Sequence, residues 1–334
     1  MRIKELIVLV TFLFIYLNST SVEAKSNILN IPHIEQMPEL ARGCEVTSLA
    51  MLLNSAGVEV DKMALAQEVK KVSFISNGYY GNPHHGFVGN IYSYTQLGYG
   101  VYHEPIADLA EKYLPGQIDD LTGQDISSIY ASIDAGIPVW VITNSRFKAL
   151  PENQFVSWKT KEGIVDITYS EHSVLVTGYD DQYIYVNDPL YYKGNRKLNR
   201  FHFEQSWIQM GSQAIAYQLK EPVKVKIIGQ EIMGAYKLKD TVYIPVRTVA
   251  QTLGSTVTYD LIQQTVVLQD ENTVIHLRID TNEVIIKNQP FTMPIDVKNI
   301  EGSFVIPIQA LEYMYDTKVH WENDVVYISM KSES

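Results

Sequence analysis
Only one cysteine, Cys44, occurs in the 334 residues, so the chain can form no internal disulfide and no thiolate-rich metal cluster. Basic residues are few: 27 Lys and Arg stand against 38 Asp and Glu, a net charge of −11, with no Lys/Arg-rich run of five or more. Such a surface repels phosphate backbones and anionic lipid, which argues against nucleic acid and membrane surfaces as partners. Past the N-terminal segment no run of about 18 apolar residues occurs, so no later membrane span is expected. Glycine and proline, at 19 and 13, are too few for a collagenous or low-complexity chain. What remains is 46% hydrophobic and 19% charged, ordinary globular usage. At roughly 100–200 residues per domain the length predicts two domains, each able to bury a core without staples.

Residues 1–24 read as a secretory signal. Arg2 and Lys4 form a charged start, Leu6 to Leu17 is a 12-residue apolar run, and Val22-Glu23-Ala24 offers small residues at a cleavage site. The run is shorter than the roughly 20 residues of a spanning helix, so a retained anchor is the weaker alternative. The expected location is secreted, extracellular or cell-wall associated.

From residue 25 to about 220 helices and strands are mixed. Cys44 to Leu53 (CEVTSLAMLL) is almost wholly apolar and predicts a buried helix stopped by Gly57. Asp61 caps a second helix over 62–71, and residues 76–100 read as an irregular loop layer around a site. A helix follows at 125–135 and a buried strand at 138–143. Ser173–Tyr179 and Tyr183–Asn187 read as an antiparallel hairpin turned by Asp180-Asp181-Gln182, residues that serve the turn rather than a carboxylate dyad. From about 221 to 334 short strands and helices alternate in a weak repeat. Ile244-Pro245-Val246 matches Ile306-Pro307-Ile308, Val257 matches Val319 and Tyr259 matches Trp321. Gly254 and Asp316 occupy the matching positions where a left-handed helix terminus is expected.

Cys44 follows Gly43 and opens a helix, where unpaired N–H groups and the dipole favour thiolate. The bland alternative is a small buried hydrophobe. A thiolate nucleophile needs a base, and the base an orienting group. His172 opens the hairpin and Asp188 follows its second strand. In a simple two-residue-turn register Tyr191 faces His172, so contact with Asp188 requires twist or a bulge. His84-His85 is an unpromising metal pair because adjacent residues rarely ligate one ion, and His276 and His320 stand singly. No metal or other cofactor is therefore expected. Tyr79, Tyr80, Phe87, Tyr92, Tyr94 and Tyr99 either line a cleft or pack the loop layer.

The segments Gly43-Cys44-Glu45-Val46-Thr47-Ser48-Leu49-Ala50-Met51, Gly86-Phe87-Val88-Gly89, Gly98 to Pro105 (GYGVYHEP), Glu171-His172-Ser173-Val174 and Val186-Asn187-Asp188-Pro189 together resemble the bacterial C39-like cysteine peptidase family. The resemblance covers roughly residues 28–218. It implies an α+β, papain-like fold related to the peptidase domains that trim double-glycine leaders, with Cys44 as nucleophile, His172 as general base and Asp188 orienting the imidazole. It further implies an upstream oxyanion-holding glutamine, for which Gln36 is the candidate, eight residues before the cysteine. Glu45 matches the family motif, and as an early helix acid it complements the dipole. Tyr243-Ile244-Pro245-Val246-Arg247 with Leu253-Gly254, and a degenerate copy over 305–321, resemble the copper amine oxidase N-terminal domain, a small α+β stalk-like module of exported proteins. The implied function is hydrolysis of a peptide or cell-wall amide through a thioester. The alternatives are a transpeptidase or transglutaminase-like acyltransferase, and a non-catalytic wall-associated binding protein.

Overall fold
The computed structural model describes residues 27–331 apart from Leu261, Asp280 and Glu301. The signal expected over 1–24 lies outside the described residues. No helix among the described residues is long and apolar enough to cross a membrane. The two largest buried clusters divide the chain, one drawing on Leu40 to Tyr217 and the other on Val225 to Ile328.

The first cluster is built around one mixed helix and sheet layer. A central antiparallel sheet contains β1 (Asn27–Ile28), β2 (Ile118–Asp120), β3 (Val139–Asn144), β4 (Glu171–Tyr179), β5 (Tyr183–Asn187), β6 (Arg196–Asn199) and β7 (Ala214–Tyr217), in the order β6-β5-β4-β3-β7-β2, with β1 beside β4. β3 is buried at all six positions, as its apolar run over 139–142 requires when both faces are covered. The covering helix is α1 (Cys44–Ser55), buried from Cys44 through Leu53. Its first turn is tied to the sheet by the Trp140 indole, whose Nε1–H donates to Glu45 O at 2.9 Å. The helix has no side-chain cap, and Gly43 at its start packs so closely that a Cβ there would lie 2.5 Å from Leu40 Cβ.

α2 (Lys62–Glu68) begins as expected, with Asp61 Oδ1 accepting from the Met63 N–H at 2.7 Å. It stops three residues short of the expected 71, because Lys71–Val72 leaves to pair in parallel with Phe87–Val88. α3 (His103–Tyr113), α4 (Ser127–Asp134) and α5 (Arg200–Gln209) complete this half. The β4–β5 hairpin carries a register shift between Val176 and Gly178. Such a bulge turns the strand and displaces every pair beyond it by one residue.

The second cluster is strand-dominated, in a nine-stranded and a four-stranded sheet with short helices at Val246–Thr252 and Leu311–Met314. The two copies of the repeat meet: Thr241–Pro245 pairs antiparallel with Ser303–Pro307, with Ile244 directly opposite Ile306. Gly254 is left-handed (φ 86°) as expected. Asp316 is not among the left-handed residues, since the second helix is a single turn whose Tyr315 C-cap is already extended.

Candidate active site
Cys44, His172 and Gln36 line one cleft of about 210 Å³, together with Arg42, Tyr94, Tyr99, Ser145, Tyr169, Glu171 and Leu190. Cys44 is the first residue of α1, so its N–H lies among those with no carbonyl one turn back. His172 is the second residue of β4, and Asp188 follows the last residue of β5. Past the bulge the ladder runs Leu175 opposite Asn187, so Asp188 stands just beyond the pairing. There its carboxylate turns back to His172: the Nε2–H donates to Asp188 Oδ1 at 2.7 Å. Nδ1 is thereby the ring nitrogen not engaged by Asp188. Both side chains are almost completely buried.

Asp188 has a second partner that composition and spacing did not reveal. Arg196, from β6, donates to Asp188 Oδ2 at 2.6 Å while its guanidinium lies over the Phe147 and Tyr191 rings. The Leu190 N–H adds a bond to Oδ1 at 2.9 Å. Burial alone would raise this carboxyl. The His172 hydrogen bond and charge, the Leu190 N–H and Arg196 outweigh it and hold Asp188 down at about 2.

The helix side differs from expectation. The Cys44 Sγ–H donates to Glu45 Oε2 at 3.3 Å. Glu45 is buried, with Oε1 accepting from the Val101 N–H at 2.8 Å. Glu171 converges on the same point, so that the Cys44 sulfur and one oxygen of each acid lie within 4.8 Å of one another. Gly100 covers the pair closely: a Cβ there would sit 2.5 Å from Glu45 Oε1 and 2.8 Å from Glu171 Oε2. Burial raises Glu45 to about 7, against the opposing backbone N–H bonds. Burial and then the charge of Glu45 push Glu171 up as well. Burial, followed by the charges of Glu45 and Glu171, also pushes the Cys44 thiol up, with the Ser173 N–H opposing. The helix-terminus advantage expected for a Cys44 thiolate is therefore outweighed, because desolvation and two acids act at shorter range than the dipole.

Gln36 reaches the cleft wall, but its amide N–H groups are engaged by the backbone. Its Nε2 donates to Leu40 O at 3.1 Å and Ala41 O at 3.3 Å, and its buried Oε1 has no partner. The expected donor is thus occupied by two carbonyls. Of the aromatics, Tyr94 and Tyr99 line the cleft, whereas Phe87 is core and Tyr80 stacks on Trp158 at 4.6 Å. Asp180 serves its turn, accepting from the Gln182 and Tyr183 N–H groups.

With this arrangement of cysteine, histidine and aspartate in view, comparison with known proteins places the first half. The sequence profile of the Peptidase_C39 like family matches residues 28–215, more than half of the chain. The chain belongs to this family. The uncharacterized protein YvpB of Bacillus subtilis (strain 168) is 52% identical over 182 residues, 54% of this chain and 71% of that protein. A crystal structure of a candidate C39-like peptidase from Bacillus anthracis is 54% identical with a TM-score of 0.56, covering 57% of this chain and 96% of its own. The profile of the copper amine oxidase N-terminal domain matches residues 226–329. The chain thus joins a C39-like half to a half similar to that domain.

Proposed function
We propose that this member of the C39-like family is an exported cysteine peptidase or amidase with papain-like chemistry. One observation carries the reading: His172 lines the cleft that Cys44 lines, while its far nitrogen is held by a buried aspartate at 2.7 Å. That is the base-and-orienter geometry a thiol nucleophile requires. In this reading His172 takes the Cys44 proton, and the sulfur attacks the amide carbonyl to give a tetrahedral oxyanion. His172 then protonates the leaving nitrogen as the C–N bond breaks, and water activated by the same imidazole hydrolyses the thioester. The Cys44 backbone N–H is the oxyanion donor, since the Gln36 amide is occupied. The rim of Tyr94, Tyr99, Tyr169 and Leu190 suits peptide side chains. By analogy alone, the C-terminal half acts as a stalk that positions the cleft at the cell wall.

A second reading, a wall-associated binding protein without catalysis, is favoured by the surroundings of the thiol, which is buried and hydrogen-bonded to Glu45. The pH dependence of iodoacetamide alkylation of residues 25–334, compared with His172→Ala, separates the two. Alkylation already fast near pH 6 and suppressed by His172→Ala is expected of the peptidase. No reaction, or a midpoint at or above the ordinary thiol value of about 8.5 in both proteins, selects the binding protein.

A further inference from the structure
A second convergence of ligand-type side chains shares no lining residue with the Cys44 cleft. His84 lies in the turn before Phe87, His103 and Glu104 open α3, and Asp120 ends β2. His84 Nδ1 stands 2.8 Å from Glu104 Oε1, and His103 Nε2 stands 3.3 Å from the same oxygen. One ligand atom from each of the three residues lies within 4.8 Å of the others. His84 and His103 border a separate cleft of about 410 Å³.

We propose that His84, His103 and Glu104 form a binding site for a divalent transition-metal cation of the zinc type. Two imidazole nitrogens and one carboxylate oxygen are a donor set suited to zinc with a fourth position left open. In a tetrahedral site with bonds of roughly 2.0–2.1 Å, neighbouring donors stand about 3.3 Å apart. The His103–Glu104 distance already meets this, and His84–Glu104 must open by about half an ångström. His103 has the outer support that metal-bound imidazoles use, because its Nδ1–H donates to Asp120 Oδ2 at 2.6 Å and so presents Nε2 inward. Glu104 and Asp120 together balance a double positive charge. The sequence obscured this group by offering His84-His85 as the pair. His85 instead turns to Glu162 at 3.6 Å, and the partners of His84 come from about 20 residues downstream. Where the histidines are protonated the same contacts are ion pairs, and a cation replaces the protons shared with Glu104.

The test is a zinc titration of the full chain against a competing chromophoric chelator, repeated on Cys44→Ala, His84→Ala, His103→Ala, His85→Ala and Asp120→Asn. One equivalent is expected to survive in Cys44→Ala and His85→Ala. Affinity should fall about 10–100-fold in Asp120→Asn, and further in His84→Ala and His103→Ala. Circular dichroism checks folding, and His84→Ala, altered in a partly exposed turn, decides the matter even if His103→Ala does not fold. Three results overturn the proposal: no zinc bound at micromolar concentration, a titration unchanged by His84→Ala, or one abolished by Cys44→Ala. The last would move the ion to Cys44, Glu45 and Glu171.

Discussion
On the strand side of the Cys44 cleft, His172, Asp188 and Arg196 form a continuous chain of contacts at 2.7 and 2.6 Å, whereas on the helix side Glu45 and, reaching over from β4, Glu171 face each other and a thiol. Asp188 and Glu45 are equally buried, each 1% exposed. Yet the first carboxyl is held down at about 2 and the second is raised to about 7. Burial raises both. What separates them is what opposes burial: an imidazole, an N–H and a guanidinium at Asp188, but only backbone N–H groups and a thiol at Glu45. A buried acid is thus raised by its depth unless cationic partners outweigh the cost of burial, as they do at Asp188 alone of the two.

The comparison also fixes how stability follows pH. Asp188, lowered from 3.8, contributes stability that is present above its unfolded value and lost as pH falls through about 2. Glu45, raised from 4.5, contributes stability that is complete below that value and lost as pH rises through about 7. As far as these two groups decide, stability is greatest near pH 4–5. Below about pH 7 the Glu45 carboxyl is largely neutral, so the charge opposing the Cys44 thiolate is weakest on the acid side.

The largest effect expected is on turnover. Cys44→Ala should reduce hydrolysis of peptide substrates by about 10⁴-fold or more, read as kcat/KM, while leaving urea unfolding nearly unchanged. Equal activity in wild type and variant would leave the strand-side contacts with a structural role only. Next, Asp188→Ala strands His172 and Arg196 without their carboxylate and should destabilise the fold by about 3 kcal/mol at pH 7, measured from the urea midpoint. A loss below about 0.5 kcal/mol would mean that the strand side is no better paired than the helix side. Glu45→Gln removes the raised acid and should stabilise the protein by about 2 kcal/mol at pH 8 with little change at pH 4.5. The same variant should move the Cys44 alkylation midpoint downward. An unaltered midpoint would show that Glu45 does not govern the thiol. The smallest effect belongs to Arg196→Ala, whose head group is one-third exposed, with an expected cost of about 1 kcal/mol.

Much of the layout was legible in the amino-acid order. The apolar run from Val46 to Leu53 demanded a buried helix, the Asp180 turn set the hairpin, and the mismatch at Tyr191 asked for twist or a bulge; the bulge between Val176 and Gly178 moves the register by one residue, and the Asp188 carboxylate still has to turn back to reach His172. What could not be read were relations across the sheet or into the loops. Arg196 reaches Asp188 only because β6 lies beside β5. Glu171 meets Glu45 under Gly100 although the two acids are more than a hundred residues apart. The orientation of the Gln36 amide depends on the two carbonyls it happens to satisfy, which no spacing rule encodes. His84 found its partners at His103 and Glu104 because the intervening loop layer folds back on itself, a region whose period matches neither helix nor strand.

In the C-terminal half, Lys224–Ile227 lies parallel to Val325–Met330, with Lys224 opposite Val325 and Ile227 opposite Ile328. An early strand of this half and its last described strand are therefore clasped side by side. Tension applied between its two ends runs along both strands in opposite directions and loads the cross-strand bonds together, in shear, instead of opening them one by one.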